Sequence, residues 1–366
     1  MRKRPRRKPD ALASLLARVV GIIEDARSRV VRSVNSSMVL AHWHIGRELV
    51  EYVQAGARRA DYGEQVLEEL SARLQGAVGR GFSVTNLRYC RLFYLAYRDR
   101  RPEIHHGEGD ESAEGFSPRL SWTHYRTLTR VEDPDARSFY ETEASNEQWS
   151  VPHLERQIST QLHLRLLKSR NKDGVRELAH QGQRVERPVD LIKSPVVLDF
   201  LDLPDRPELR ESDLESAIIG KLSLFLLELG KGFAFVARQK RLAFDDEEFF
   251  IDLVFYNVIL KAYLLIDLKL GKLTHQDVGQ MDSYVRLFDA QGRTPGDGPT
   301  IGLVLCAEKN ETLARYSILH EHQQLFAAKY VTYLPTVEEL ERELARDRQA
   351  AEHAGGETSR PKGRKR

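Results

Sequence analysis

The sequence predicts an all-α N-terminal domain followed by an α/β C-terminal domain with an αβββαβ core and a mixed central sheet. Two observations predict this order. Apolar residues recur at helical spacing through residues 11–168, and from about residue 191 strand-like runs follow a single helix. A length of 366 residues is enough for two domains of ordinary size, and a hydrophobic fraction of 41% is enough for folded cores.

Changes in composition set the predicted domain boundaries. We expect a basic tail at residues 1–10, the helical domain at residues 11–175, the α/β domain at residues 176–348 and a disordered basic tail at residues 349–366. Basic tails attract polyanions such as nucleic acid, although they also serve solubility alone. The net charge of +2 does not decide between these roles.

Composition also indicates the cellular compartment of the protein. The chain contains no apolar run of about 18 residues, so we expect no transmembrane helix, and no apolar signal core follows the basic N-terminus. Its two cysteines, Cys90 and Cys306, stand far apart in apolar stretches. This usage argues against a disulfide framework or a cysteine zinc site and predicts a cytoplasmic protein.

The helical domain contains a candidate DNA-binding unit. Residues 75–86 include glycines that break a helix, and Ser83 or Thr85 can cap the helix that follows. Arg88 and Arg91 lie on that second helix, so the segment has the pattern of a helix-turn-helix unit whose arginines contact DNA. A helical hairpin without that function gives the same pattern.

The rest of the helical domain is interrupted at recognisable places. The polar residues 98–118 predict a surface loop, and helical patterning resumes over residues 121–168 with breaks before Pro134 and Pro152. Residues 169–188 are polar and contain glycine, so we expect the linker between the domains there.

The C-terminal domain begins with a helix that Ser212 or Asp213 can cap and that Gly230 and Gly232 end. A short connection around residues 257–260 predicts an antiparallel hairpin between the second and third strands. The predicted elements are a helix at 214–229, strands at 233–244, 249–257 and 261–269, a helix at about 274–289, a strand at 300–306, a short helix near 312–317, a strand near 330–334 and a final helix at 337–346.

Charged residues stand inside two of these apolar strands. Regular alternation places Asp252 on the face opposite Ile251 and Leu253, and it places Asp267 and Lys269 on one face of the next strand. An aspartate and a lysine in a strand that is buried on both faces are costly unless they pair or bind a cation. These residues therefore form a candidate site.

The hairpin brings the two aspartates towards each other. Asp252 and Asp267 lie at similar distances from the turn, so their carboxylates can converge on one divalent ion. Carboxylate oxygens suit Mg²⁺ or Mn²⁺, which activate water and stabilise a phosphodiester transition state. Lys269 can orient or deprotonate the attacking water and offset phosphate charge.

Three further residues are candidate members of the site. Glu215 on the preceding helix is a third carboxylate, and Gln280 and Tyr284 stand one turn apart on one face of the following helix. Each residue also has a structural interpretation. Asp267 and Lys269 can form a buried ion pair without chemistry, Glu215 can be a solvated helix start, and the other two can be ordinary helix surface or core.

As a set, Glu215, Asp252, Asp267-x-Lys269 and Gln280-x-x-x-Tyr284 resemble the PD-(D/E)xK nuclease superfamily, and the helix motif is similar to that of its RecB-like branch. The runs at residues 62–97 and 252–289 resemble the YhcG-like family of PD-(D/E)xK nuclease-domain proteins. The resemblance covers most of residues 25–345. Aspartate stands at the second acid where glutamate is commoner in the superfamily.

The resemblance implies a restriction-endonuclease-like C-terminal fold and a magnesium-dependent deoxyribonuclease of DNA repair, recombination or defence. It implies that Asp252, Asp267 and Glu215 are metal ligands, that Lys269 orients water, and that Gln280 and Tyr284 support the site. The shorter second acid leaves the number of ions open.

Other assignments remain open on the sequence. Lys272 is a candidate phosphate contact, although its segment lacks the glycine spacing of a phosphate-binding loop. A catalytically silent nucleic-acid-binding or assembly protein of a restriction or defence system is the main alternative. The N-terminal domain binds either DNA or a protein partner. The preferred DNA structure, endonuclease or exonuclease action, and the formation of a homodimer also stay open.

Overall fold

The structure, a computed structural model, describes residues 11–56, 60–79, 81–100, 115–167, 178–203, 209–244, 247–308, 324–342 and 345. The chain divides into two compact units, residues 1–155 and 156–366. The predicted tails, the short helix near 312–317 and the end of the final helix lie outside the described residues. The predicted boundary at residue 175 stays a prediction, because it falls within the undescribed residues 168–177.

Helices make up the first unit as far as it is described. A 46-residue helix, α1, packs its C-terminal half on α3, where Gly46 approaches so closely that a Cβ atom would stand 2.0 Å from the Cys90 carbonyl oxygen. Ser83 caps α3 by accepting a hydrogen bond from the Asn86 N–H, as predicted. The helices are α1 (Ala11–Gly56), α2 (Ala60–Ala77), α3 (Val84–Tyr97), α4 (Trp122–Leu128), α5 (Pro134–Asn146) and α6 (Val151–Ser159), the last of which crosses the division between the units.

The second unit contains a six-stranded sheet in the order β1-β6-β5-β4-β3-β2. Strands β2, β3 and β4 pair antiparallel, whereas β4, β5, β6 and β1 pair parallel, so the predicted mixed sheet and the predicted hairpin are confirmed. The elements are α7 (Leu162–Leu167), β1 (Val196–Val197), α8 (Glu211–Gly220), α9 (Leu222–Leu229), β2 (Phe233–Phe244), β3 (Glu247–Asn257), β4 (Ala262–Lys272), α10 (His275–Gln291), β5 (Ile301–Glu308) and β6 (Leu325–Val331).

Helices cover both faces of the sheet. Helices α8 and α9 pack on one face through buried residues that include Leu214 and Phe225. Helix α10 packs on the other face, where Gly302 of β5 leaves room for Met281, because a Cβ atom there would stand 2.7 Å from the Met281 side chain. Apolar burial on both faces explains why the central strands are almost continuously apolar in sequence.

Some predicted elements differ from the structure. The helix predicted at 214–229 is two helices, because Lys221 leaves the helical conformation and its ammonium group binds the Phe200 carbonyl and the Asp202 carboxylate. Arg210 is the N-cap position, and Asp213 reaches back to accept its backbone N–H at 2.9 Å. The last strand is Leu325–Val331 and not 330–334, and it pairs with the short strand β1, which was not predicted.

A buried ion pair ties α7 to the sheet unit. Arg165 of α7 binds both carboxylate oxygens of Glu228 on α9 and donates to the Pro195 carbonyl at 3.0 Å. Glu228 also accepts the Val197 N–H at 2.9 Å, which holds strand β1. Helix α7, which precedes the predicted linker, therefore belongs to the second unit.

Over the described residues, no helix has the combination of length and apolarity that crossing a membrane requires.

Candidate active site

Asp252 and Asp267 come together where two strands stop pairing. The β3–β4 ladder ends with Leu253 opposite Ile266, and the two aspartates are the next pair in that register. Asp252 does not continue the ladder, because its Oδ2 atom accepts the backbone N–H of Leu268 at 2.8 Å. Burial is the main cause that raises the pKa of Asp267, and the negative charge of Asp252 contributes to the same shift.

The strand geometry around Asp252 is irregular. Ile251 packs in the core beneath α10, whereas Leu253 packs in the core beneath α8 and α9. The predicted alternation, with both on one face and Asp252 on the other, is therefore wrong at this point. The β2–β3 ladder pairs Arg238 with Leu253 but omits the next position, Gln239 with Asp252. The local distortion of both strands explains the change of face.

Asp267 and Lys269 form a buried ion pair on β4. The Lys269 Nζ atom lies 3.0 Å from Asp267 Oδ2 and 3.8 Å from Glu211 Oε2, and the Asp267 side chain is only 5% exposed. Burial raises the pKa of Asp267 to about 6, although Lys269 opposes this shift. Burial alone would lower the pKa of Lys269, but the attraction of Asp267 outweighs it and the pKa is raised.

Glu215 reaches the same site from α8. Its side chain is 5% exposed, and its Oε1 atom lies 3.0 Å from Nε of Arg238. Its Oε2 atom accepts a hydrogen bond of 2.6 Å from the Gln239 amide, which also donates to Asp252 Oδ1 at 3.0 Å. Gln239 thus connects the helix carboxylate to the strand carboxylate, and the solvated interpretation of Glu215 is wrong because the side chain is buried and paired.

Gln280 and Tyr284 contact each other on α10. The Gln280 amide donates to the Tyr284 hydroxyl, and the Tyr284 ring is buried in the core beneath the helix. Burial raises the pKa of Tyr284, the bond from Gln280 opposes this, and the charge of Asp267 contributes further. No direct bond joins the phenol to the two aspartates among the described contacts.

Three residues of this arrangement were missed in the sequence. Arg238 and Gln239 belong to β2, whose polar residues read as the exposed side of an amphipathic strand, and Glu211 reads as a helix-start acid. Only the register of β2 against β3 brings Gln239 next to Asp252, and a single sequence does not contain that register.

The donor chemistry fits a divalent cation held by Asp252 and Asp267. Mg²⁺ in proteins is commonly bound by one or two carboxylates, with waters and substrate phosphates completing the shell. Asp267 Oδ2 is buried and makes no hydrogen bond of good geometry, although Lys269 lies near it. Within the described ranges no three His, Cys, Asp or Glu residues are grouped closely enough to hold a metal. Glu215 is a ligand only if it leaves Arg238.

The three predicted DNA contacts lie elsewhere on the chain. Arg88 and Arg91 are exposed on α3. Lys272 is exposed at the end of β4, in the other unit. The structure does not test whether any of them contacts DNA, so their role stays a prediction.

Comparison with known proteins assigns both parts of the chain to families. Residues 189–345 match the YhcG PDDEXK nuclease domain, and residues 18–165 match the DUF1016 N-terminal domain. The Escherichia coli (strain K12) protein called "Putative nuclease YhcG" is 40% identical over 349 residues, which are 90% of this chain and 92% of that protein. The expected restriction-endonuclease-like fold of the C-terminal domain is confirmed by the domain match.

Two solved structures are also similar over part of the chain. A repair endonuclease from Pyrococcus abyssi is 17% identical, with a TM-score of 0.25 over 34% of this chain and 49% of that one. An EndoMS–dsDNA2 complex is 20% identical, with a TM-score of 0.25 over 37% and 50% of the two chains. A TM-score this low supports no argument about this chain.

Proposed function

Because this chain belongs to the YhcG family of PDDEXK nuclease-domain proteins, we propose that it hydrolyses DNA phosphodiester bonds in a metal-dependent reaction at Asp252, Asp267 and Lys269. The observation that carries this proposal is the buried Asp267–Lys269 pair beside Asp252, at the point where β3 and β4 separate. Buried charged side chains without a function lower the free energy of unfolding, so their presence at this position favours a functional role.

Each residue has a role that follows from its contacts. Asp252 and Asp267 would hold Mg²⁺ or Mn²⁺, and the bound ion supplies a water of lowered pKa and a positive charge for the phosphate oxygens. Lys269 has a raised pKa, so its side chain is a cation that donates hydrogen bonds. It therefore orients the attacking water and offsets phosphate charge, and it does not act as a proton acceptor in the metal-free site.

The remaining site residues support this centre. Glu215 forms an ion pair with Arg238 and accepts a hydrogen bond from Gln239. It becomes a metal ligand only if that ion pair opens. Gln280 and Tyr284 form one hydrogen-bonded unit on α10, in which the Gln280 amide fixes the orientation of the phenol. A cytoplasmic role in repair, recombination or defence, with the N-terminal unit binding DNA or a partner protein, completes the proposal.

The test is metal-dependent cleavage of a DNA panel that contains linear, branched and single-stranded forms. The wild type should cut at least one form in Mg²⁺ or Mn²⁺ and none in EDTA. Asp252→Asn should abolish cutting while it leaves DNA binding intact. Salt-sensitive DNA binding without turnover on any form would contradict the proposal and would favour the catalytically silent nucleic-acid-binding protein.

A further inference from the structure

Gln239 adopts a backbone conformation that side-chain-bearing residues avoid. Its φ of 45° lies in the left-handed region, in the middle of strand β2. A residue other than glycine is strained in this conformation, and such strain persists only where the surroundings enforce it. The strained residue lies opposite Asp252, where the β2–β3 ladder is interrupted.

The contacts of Gln239 explain what the conformation achieves. One side-chain amide nitrogen donates to Glu215 Oε2 at 2.6 Å and to Asp252 Oδ1 at 3.0 Å. Two carboxylates that approach each other repel, and an amide with two hydrogens between them removes part of that repulsion. Asp252 is then fixed from both sides, by Gln239 at one oxygen and by the Leu268 N–H at the other.

We propose that Gln239 is a positioning residue of the nuclease site, which ties Glu215 to Asp252 and holds the Asp252 carboxylate in the orientation that binds the metal. This inference rests on the proposed function. Partners that orient metal ligands typically change metal affinity or activity about 10–100-fold when they are removed. The strain at Gln239 is the structural cost of that orientation.

Gln239→Gly separates positioning from stability, because glycine accepts a positive φ without strain and carries no amide. Gln148→Gly is the matched control, since Gln148 also has a positive φ, 51°, and its exposed side chain lies in the other unit. In EDTA, Gln239→Gly loses two hydrogen bonds and the backbone strain together, so neither variant should melt far below the wild type. Mn²⁺ titration calorimetry on the full chain should show that only Gln239→Gly weakens binding, by about tenfold or more. Cleavage should fall in parallel.

The outcomes distinguish this inference from the proposed function. A wild type that neither binds Mn²⁺ nor cuts DNA overturns both. A wild type that does both, with a Gln239→Gly variant that binds Mn²⁺ equally well, overturns the positioning role alone. A Gln239→Gly variant that melts well below Gln148→Gly would show that the glutamine serves folding, which also overturns the positioning role.

A second, independent feature is the apolar surface of the N-terminal half of α1. The other half of this helix buries Val39 and Trp43 against its unit. Between residues 19 and 38, eight large apolar side chains are 41% to 66% exposed. Together they form a larger contiguous apolar surface than an ordinary surface helix shows. They are Val19, Val20, Ile22, Ile23, Val30, Val31, Val34 and Met38.

The spacing of this surface matches a coiled-coil seam. Val20, Ile23, Arg27, Val30 and Val34 follow one another at intervals of three, four, three and four residues. This alternation keeps one stripe facing a partner helix that has the same repeat. A single polar residue in such a seam, here Arg27, sets register and orientation at some cost in stability.

The area of the stripe is a large part of what a standard interface needs. Seven half-exposed side chains, all of the eight except Ile22, lie on one side of α1 and carry roughly 200–400 Å² of apolar surface. A standard interface buries about 800 Å² per partner, of which about 450 Å² is apolar. We infer that this stripe of seven residues pairs with the same stripe of a second copy of the chain, because a heptad repeat is complementary to itself.

Light scattering after size exclusion of the full chain tests this pairing. The wild type should elute at twice its 42.0 kDa chain mass, and the double variant Val30→Glu with Val34→Glu should elute at the single mass with unchanged helix content. Ile22→Glu is the matched control, since Ile22 is the most exposed of the eight but lies outside the seam. A monomeric wild type, a dimeric double variant or a monomeric Ile22→Glu would each overturn the inference.

Discussion

The Lys269 ammonium nitrogen lies 3.0 Å from Oδ2 of Asp267, two residues earlier on the same strand, inside a sheet that is otherwise apolar at this depth. The two side chains share a face of β4, so the pair forms without any long-range folding event. Each charge compensates the burial of the other only in part, because Asp267 keeps a pKa of about 6. The site therefore costs stability in the absence of a cation.

That cost predicts a specific dependence of stability on pH. The pKa of Asp267 is about 6 in the folded protein and near 3.8 for an aspartate side chain exposed to water, so between these values the folded state binds more protons. The free energy of unfolding that this group contributes is fully present below pH 3.8 and is lost as pH rises to 6. In EDTA, Asp267→Asn should therefore melt increasingly above the wild type as pH rises from about 4 to about 7. A difference in Tm that stays constant with pH would contradict the burial of Asp267.

Tyr284→Phe should separate the hydroxyl from the ring. The substitution keeps the aromatic ring, which packs in the core, and removes the hydroxyl that accepts the hydrogen bond from Gln280. We expect a loss of about 0.5–1.5 kcal/mol in unfolding free energy. DNA cleavage should fall while Mn²⁺ affinity is unchanged, as measured by single-turnover kinetics and calorimetry. Cleavage equal to that of the wild type would assign Gln280 and Tyr284 to packing alone.

The Arg165–Glu228 pair should matter for folding and not for chemistry. Both side chains are almost fully buried, and Arg165→Ala leaves the Glu228 carboxylate without its cation. Removing one partner of a buried pair costs about 3–5 kcal/mol, which urea unfolding can measure. The double variant Arg165→Met with Glu228→Leu should recover part of that loss. A double variant that is less stable than Arg165→Ala would show that the Val197 contact dominates.

Salt dependence will show whether the exposed basic residues contact DNA. If Arg88, Arg91 and Lys272 bind phosphates, each alanine substitution should reduce the slope of log affinity against log salt by about 0.9. Arg73→Ala is a suitable comparison, because Arg73 is also exposed and its carboxylate partner Glu69 lies on the same helix. Fluorescence anisotropy over a range of salt concentrations gives the slopes. Equal slopes for a variant and the wild type would remove that residue from the DNA interface.

The order of the main elements along the C-terminal domain and the principal charged residues could be predicted from the sequence, because both depend on local patterns. The β2–β4 region reads as three strands since apolar runs end at turn residues, and Thr274 caps α10 because its side chain accepts the Asp277 N–H. Asp267 and Lys269 were visible because charge inside an apolar strand is conspicuous.

The remainder depends on contacts between distant segments. Strand β1 has two residues and exists only through pairing with β6, so it has no periodic signal of its own. The β2–β3 ladder is interrupted where Gln239 stands opposite Asp252, and this irregularity between two distant segments defeats the regular alternation on which the prediction for Asp252 rested. The split of the predicted helix at Lys221 follows from its bond to the Phe200 carbonyl, which lies in a short 3-10 helix twenty-one residues earlier.

The most direct test of the central claim is single-turnover DNA cleavage by Lys269→Ala in Mn²⁺, with DNA binding measured in EDTA on the same preparation. The proposed role predicts that cleavage falls by about 100-fold or more, while DNA binding stays within about twofold of the wild type. Lys240→Ala, which removes an exposed lysine from strand β2 of the same sheet, should retain cleavage. If Lys269→Ala cuts DNA as fast as the wild type does, the pair with Asp267 is structural and the site lies elsewhere.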